Sequence, residues 1–320
     1  MLCYTHESYE GHHMGAYHPE RPERLTVLRR QFTEWGLFDR MTLPECIECD
    51  DEDLLSVHTE ERVEMIRRAC QAAQERGMLA AIDGDTSVCD GSWEAATRAV
   101  GACRDAADRV MRGEDTRAIC FVRPPGHHAI HGTEVFSNGF CLFNNVAVAA
   151  QRAIAEHGLE RVLIVDWDVH HGNGTQDIFY DRGDVWYVSL HRFPFFPGTG
   201  TPPERGRGEG EGTTFNRPMD YYGCDDETYL EAFRAMVEPA FEACDPQLLL
   251  ISAGFDTLAS DPLAGLGLHV DTFTELTRIC TDLAGAGRAE GRVITVLEGG
   301  YDPDGEAEAL ARVVEVMIDG

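Results

Sequence analysis

The sequence predicts one doubly wound α/β domain over residues 1–320, with a mostly parallel central sheet and helices on both faces. Three observations carry this reading. Short apolar runs recur along the chain, the pattern of strands buried on both sides of a sheet. Helical periodicity fills the gaps between them with no long linker, the alternation from which parallel sheets are built. Nearly every apolar run also ends in glycine and chemically capable side chains. In open α/β sheets the carboxyl edge of the strands is where ligands bind.

In chain order, His18-Pro-Glu-Arg-Pro-Glu-Arg24 gives way to a helical pattern through Leu25, Leu28 and Phe32. A second helix is expected from Asp53 to Arg76. A third runs from Trp93 to Met111, with Ser92 as its N-cap. The expected strands cover 118–122, 162–165, 185–190, 248–252 and 293–297, and further helices cover 146–157, 227–242, 272–286 and 306–318. The glycine-rich piece 206–212 lacks phosphate-loop spacing, is acidic where an anion would sit and leads into no helix, so it reads as a turn-forming loop.

Composition narrows the function. Net charge is −29 and the isoelectric point is near 4.7, which argues against direct nucleic-acid binding. All 27 basic residues are arginine. A strongly acidic, lysine-free surface is expected of a protein living in concentrated salt, where self-repulsion is screened, so a halophilic source is inferred. GC-rich codon usage is the other explanation. No apolar run approaches the ~20 residues of a membrane helix. The first residues have neither the basic nor the apolar region of a secretory signal, so a cytoplasmic protein is expected. The eleven cysteines suit a reducing compartment, and the lone Cys46-Ile-Glu-Cys49 pair has no second pair to complete a metal site. The oligomeric state stays open.

The richest stretch is Asp166-Trp-Asp-Val-His-His-Gly-Asn-Gly174, entered by the apolar run 162–165. In extended chain, residues two apart share a face, so Asp166, Asp168 and His170 would converge at a strand end. Such a cluster is costly to desolvate without a cation among its members. The expected metal ligands are Asp168, His170 and, from the end of the 248–252 run, Asp256. Two carboxylates and one imidazole leave room for water, the pattern of a catalytic site. Zn²⁺ fits, and Fe²⁺ or Mn²⁺ also suit oxygen-rich ligation. Asp166 would then steady a histidine by accepting its Nδ1–H. His127 and His128, after a Pro-Pro-Gly turn, are the candidates for general base and acid. Tyr301, beside Gly299 and Gly300, could stabilise an oxyanion. His171 and His191 read as structural.

Arg123-Pro-Pro-Gly-His-His-Ala129, Gly139-Phe-Cys-Leu-Phe-Asn-Asn145, the 166–176 stretch, Ser252-Ala-Gly-Phe-Asp256, Asp261-Pro-Leu263 and Leu297-Glu-Gly-Gly-Tyr301 together resemble the motif series of the histone deacetylase superfamily. The match covers nearly the whole chain and is nearest to the class II branch and its prokaryotic amidohydrolase relatives. The resemblance implies an arginase/deacetylase fold and Zn²⁺-dependent hydrolysis of N-acetyl amides. It implies Asp168, His170 and Asp256 as zinc ligands, His128 as general base and acid, and His127 as its electrostatic partner held by Asp166. Tyr301 would polarise the acetyl carbonyl. Phe140 and Phe196, with Gly139, Gly300 and Leu263, would line a substrate tunnel, and Arg24 would face an inner acetate-release cavity. A structural K⁺ or Na⁺ is implied near Asp166, Asp168, His170, Ser189 and Leu190. Some polyamine deacetylases carry an acidic residue where this chain has Leu263, which favours acetyl-lysine of a peptide or protein over an acetylated polyamine. Asn173 stands where class I enzymes have aspartate. A non-catalytic acyl-lysine binder remains the alternative of another class. A ureohydrolase would need more aspartates at these strand ends.

Overall fold

A seven-stranded sheet in which every neighbouring pair is parallel organises residues 1–319, the part of the chain described by the computed structural model. The elements run β1 (Leu2–Tyr4), α1 (Glu23–Glu34), α2 (Asp51–Leu55), α3 (Glu60–Arg76), β2 (Ala80–Ala81), β3 (Ser87–Val88), α4 (Ser92–Met111) and β4 (Arg117–Cys120). They continue through α5 (Asn145–His157), β5 (Val162–Asp166), α6 (Asn173–Phe179), β6 (Val185–Arg192), β7 (Thr214–Met219), α7 (Asp226–Cys244), β8 (Leu248–Ala253), α8 (Thr272–Ala286), β9 (Val293–Leu297) and α9 (Pro303–Asp319). The sheet order is β1-β4-β9-β8-β5-β6-β7, and β2 and β3 form a separate antiparallel pair.

All five expected strands are present, and two edge strands, β1 and β7, join them. Every residue of β5, β8 and β9 is buried, because helices cover both faces. On one side α4 packs on α5. On the other α1, α9, α8 and α7 touch in succession. From β5 the chain winds outward through β6 to β7, then returns to β8 beside β5 and winds the other way to β9. The reversal lies between β5 and β8, where doubly wound sheets open a crevice.

Two local expectations are corrected. The helix expected over 53–76 is broken: α2 ends at Leu55, and Thr59 starts α3 by accepting the Arg62 N–H with its side chain. His58 explains the break, since its Nδ1 lies 2.9 Å from the Ile130 carbonyl and its Nε2 accepts the Asn144 N–H. Ser92 is not the N-cap of α4. Gly91 holds that position, and the Ser92 hydroxyl accepts the Cys89 N–H and meets the His12 imidazole at 2.7 Å. The 206–212 loop contains one 3-10 turn, Gly208–Gly210, and leads into β7. Cys46 and Cys49 are free thiols, as are the other nine cysteines.

Candidate active site

Four adjacent strands, β4, β9, β8 and β5, deliver the candidate metal-binding and proton-transferring residues to one edge of the sheet. β5 ends at Asp166, and the backbone then leaves the extended form. Asp168 and His170 therefore reach the site from a turn, and the single strand face expected of the three residues does not exist. Backbone amides aim the carboxylates instead. Asp168 Oδ2 accepts the Gly299 N–H at 2.8 Å and its Oδ1 accepts the His170 N–H at 2.8 Å. Asp256 Oδ1 accepts the Val169 N–H at 2.9 Å. Gly299 is needed for this approach: a Cβ there would lie 2.3 Å from Asp256 Oδ2.

Asp168, His170 and Asp256, all buried, each offer a ligand atom, and these atoms lie within 4.8 Å of one another. His170 Nδ1 is 3.0 Å from Asp168 Oδ1 and 3.1 Å from Asp256 Oδ2. A single Nδ1–H can serve only one of them, and Asp256 Oδ2 is left buried without a hydrogen-bond donor. An unprotonated Nδ1 would leave three lone pairs facing one another. A divalent cation relieves either arrangement, so the donor set fits one. Without a cation, burial and then the Asp168 charge push the Asp256 carboxyl up to about 7. For His170, burial resists protonation, but Asp168 and Asp256 raise it to about 9.

The histidine pair follows β4. His127 Nδ1–H donates to Asp166 Oδ2 at 3.0 Å, the same oxygen that accepts the Tyr187 hydroxyl at 2.8 Å. His128 Nδ1–H donates to Asn173 Oδ1 at 2.8 Å, which leaves its Nε2 as the basic nitrogen. The two rings lie 4.0 Å apart. Burial opposes charging of His127, yet Asp168 and Asp166 outweigh it and lift the imidazole to about 10. Burial, then His127 and His170, drive His128 well below the ordinary histidine range. The surroundings of the two rings thus favour opposite protonation states. Glu298, at the end of β9, accepts the backbone N–H of Gly126 at 2.7 Å and of His127 at 3.1 Å, fixing the turn that carries the pair.

Aromatic rings surround these groups. Phe196 meets the His128 ring edge-on at 5.1 Å, and Phe195 stacks on His170 at 5.3 Å. Phe140 meets Tyr301 at 5.9 Å and His18 at 4.5 Å. Gly139 and Phe140 both have left-handed backbones, with φ of 52° and 69°. Tyr301 is buried, and its N–H donates to Asp261 Oδ2 at 2.7 Å. Gly300 precedes it with φ of 135°, and Leu263 lies exposed on the neighbouring loop. Ser189 sits beside Asp166 in the register of β6 on β5, followed by buried Leu190. The His171 and His191 rings lie 4.7 Å apart, tilted by 52°, and bond to Thr199, Gln176, Ser189 and the Gly200 carbonyl. Arg24 lies behind the site with its guanidinium 5.4 Å over the Tyr301 ring.

Sequence reasoning missed Tyr187, which shares the Asp166 carboxylate with His127, and it gave Glu298 and Glu306 no role. An acid closing an apolar strand, as Glu298 does, was the available signal. For Tyr187 there was none, because its partner lies on another strand.

A doubly wound sheet with buried acids and imidazoles at its switch point has the form of an α/β protein with a candidate metal centre, and comparison with known proteins gives the family. Residues 18–317 match the Histone deacetylase domain family. A "Probable deacetylase" of Archaeoglobus fulgidus is 39% identical over 302 residues, covering 94% of this chain and 81% of the relative. The "Histone deacetylase-like amidohydrolase" of Pseudomonas aeruginosa is 39% identical, covering 90% of this chain and 73% of the relative. The human "Polyamine deacetylase HDAC10" is 37% identical over 93% of this chain, which spans 44% of that protein. The crystal structure of the HDA15 HD domain superimposes with a TM-score of 0.92 at 36% identity, covering 100% of this chain and 91% of the other. The chain belongs to the histone deacetylase family and is a hydrolytic enzyme of that family.

Proposed function

We propose that this protein is a zinc-dependent deacetylase of acetyl-lysine side chains in peptides or proteins. The observation that carries the reading is the convergence of Asp168, His170 and the donorless Asp256 Oδ2 beside a histidine pair tied to Asp166 and Asn173. Asp168, His170 and Asp256 would hold the metal. A divalent ion there supplies Lewis acidity toward an amide oxygen and lowers the pKa of water toward ~7.

The chain's own residues account for the rest. The His128 imidazole is held neutral with its Nδ1–H committed to Asn173, so Nε2 is free to take a proton from the attacking water. The same nitrogen can return that proton to the departing amine. Asn173 orients the ring without adding charge, so its basicity is raised less than by a carboxylate. His127, tied to Asp166, would act as the electrostatic partner of the adjacent His128 ring. The Tyr301 hydroxyl would donate to that oxygen, and Phe140 and Phe196 would keep water from the linear acyl-lysine stem. The resemblance also assigns a structural K⁺ or Na⁺ to the neighbourhood of Asp166, Asp168, His170, Ser189 and Leu190.

A groove of about 570 Å³ beside Phe196 is lined by Glu134, Asp177, Asp181 and Glu204 against a single Arg207, a charge balance that suits a cationic substrate. Exposed Leu263 puts no carboxylate at the position where some polyamine deacetylases carry one, which favours a peptide. Hydrolysis of acetylated polyamines is the second reading, favoured by the similarity to a protein named polyamine deacetylase. Metal-loaded protein assayed on acetyl-lysine peptides and acetylspermidine side by side separates them. A higher kcat/KM on the peptide is expected, and activity on acetylspermidine alone would reverse the assignment. With zinc bound and neither substrate turned over, the molecule would be an acyl-lysine binder.

A further inference from the structure

Behind Tyr301, two arginines and two glutamates are sealed from solvent. Arg24 is fully buried, and so are Arg123, Glu20 and Glu306. Buried charges are tolerated only when paired and hydrogen-bonded, so the way these pair reveals what the arginines are free to do. Arg24 donates Nε to Glu306 Oε2 at 3.1 Å and Nη2 to Glu306 Oε1 at 3.0 Å, a two-pronged grip. Its Nη2 also donates to the Glu298 backbone carbonyl at 2.6 Å, and Nη1 donates to Glu20 Oε1 at 3.3 Å. Glu20 is in turn gripped by Arg123, through Nη2 at 2.7 Å. Two positive and two negative groups balance, and the Arg24 guanidinium has its partners on three sides.

Glu306 comes from the first turn of α9, and Arg24 from α1. Between them runs the Glu298–Tyr301 turn. Arg24 holds its first carbonyl, and its last ring lies beneath the guanidinium. The Glu306 carboxylate abuts its middle: a Cβ on Gly300 would come within 3.2 Å of Glu306 Cδ. Glu306 therefore fixes Arg24 from one side and the turn itself from the other.

We infer that Glu306 is a positioning residue for the reaction, holding Arg24 and the Glu298–Tyr301 turn so that the Tyr301 hydroxyl stays aimed at the reacting carbonyl. Arg24 then serves as a clamp on this turn. That use is additional to the acetate-release position implied by the resemblance, since the guanidinium is gripped by Glu306 and the Glu298 carbonyl. The inference rests on the oxyanion role proposed for Tyr301, so turnover by Tyr301→Phe alone is measured first. A Tyr301→Phe enzyme with near-normal kcat removes that role, independently of what Glu306 does.

The test is a double-mutant cycle on the zinc-loaded enzyme with an acetyl-lysine peptide. Glu306→Gln keeps the shape and one acceptor but removes the charge that orients Arg24. It is expected to lower kcat about tenfold or more with KM within twofold, since misplacing a reacting group by ~1 Å costs up to about a hundredfold. In the Tyr301→Phe background the same substitution is expected to change kcat less than twofold, because the hydroxyl it positions is gone. Glu306→Asp, which restores the charge, should recover part of the loss. An equal fall in kcat in both backgrounds, or none in either, overturns the inference. If Glu306→Gln does not fold, Arg24→Lys is read in the same cycle. It keeps the charge but cannot bridge Glu306, Glu20 and the Glu298 carbonyl together.

Discussion

Adding one methyl group at Gly139 should disable the enzyme without unfolding it. An ideal Cβ there would lie 2.4 Å from His128 Cδ2, 2.8 Å from His128 Cγ and 3.0 Å from a Phe196 ring carbon. Real Cβ contacts to ring carbons are about 3.5–4.0 Å, so the imidazole must move by roughly 1 Å. It has little freedom to do so, because Nδ1–H is tied to Asn173 at 2.8 Å and the ring lies 4.0 Å from His127. A displacement of ~1 Å in a proton-transferring group corresponds to about a hundredfold in rate. Gly139 also has φ of 52°, where a side chain costs about 1–2 kcal/mol, so Tm should fall by a few degrees. Gly139→Ala is therefore expected to lose about two orders of magnitude in kcat/KM on an acetyl-lysine peptide while keeping its metal. Activity within threefold of the unaltered enzyme would show that His128 is not held where the contacts place it.

Three further outcomes are expected. Tyr301→Phe should lower kcat by about two orders or more, the effect of deleting one oxyanion donor, with metal content unchanged; near-normal turnover would remove its role. Asp108 is held below the usual carboxylate range because Arg152 and His157, at 2.9 and 2.7 Å, outweigh its burial. Its contribution is complete above the unfolded carboxyl value of ~3.9 and is lost as pH falls through the lower folded value. Asp108→Asn should thus cost about 1–3 kcal/mol at pH 7, read as a lower Tm, with the gap closing below about pH 4; a gap unchanged at low pH would contradict the pairing. Finally, a net charge of −29 predicts that Tm rises between dilute buffer and molar KCl, whereas equal values would leave codon usage as the reason for the missing lysines.

Most of the sheet was legible because β5, β8 and β9 are buried throughout and apolar except for Asp166, Ser252 and Thr295. β1 and β7 were not, for physical reasons. β1 has only three residues, and β7, Thr-Phe-Asn-Arg-Pro-Met, is an edge strand that tolerates Pro218 and exposes Arg217. The break after α2 was hidden because His58 answers to Ile130 and Asn144, far away in sequence. In the site, residue types at strand ends pointed to Asp168, His170, Asp256 and the histidine pair, which the fold brings together. Local spacing misjudged how Asp166, Asp168 and His170 converge, since the aim of the carboxylates comes from the amides of Val169, His170 and Gly299. Nor could it expose the clamp on Arg24, because Glu306 lies 282 residues away.

The central claim is that Asp168, His170 and Asp256 hold one divalent ion. Metal-free protein dialysed against limiting Zn²⁺ and assayed for bound metal tests it without reference to turnover. One equivalent per chain is expected in the unaltered protein, with less than a tenth of that in Asp168→Ala and in Asp256→Ala, each still folded by circular dichroism. A full equivalent retained by both variants, or none bound by the unaltered chain, would contradict the account.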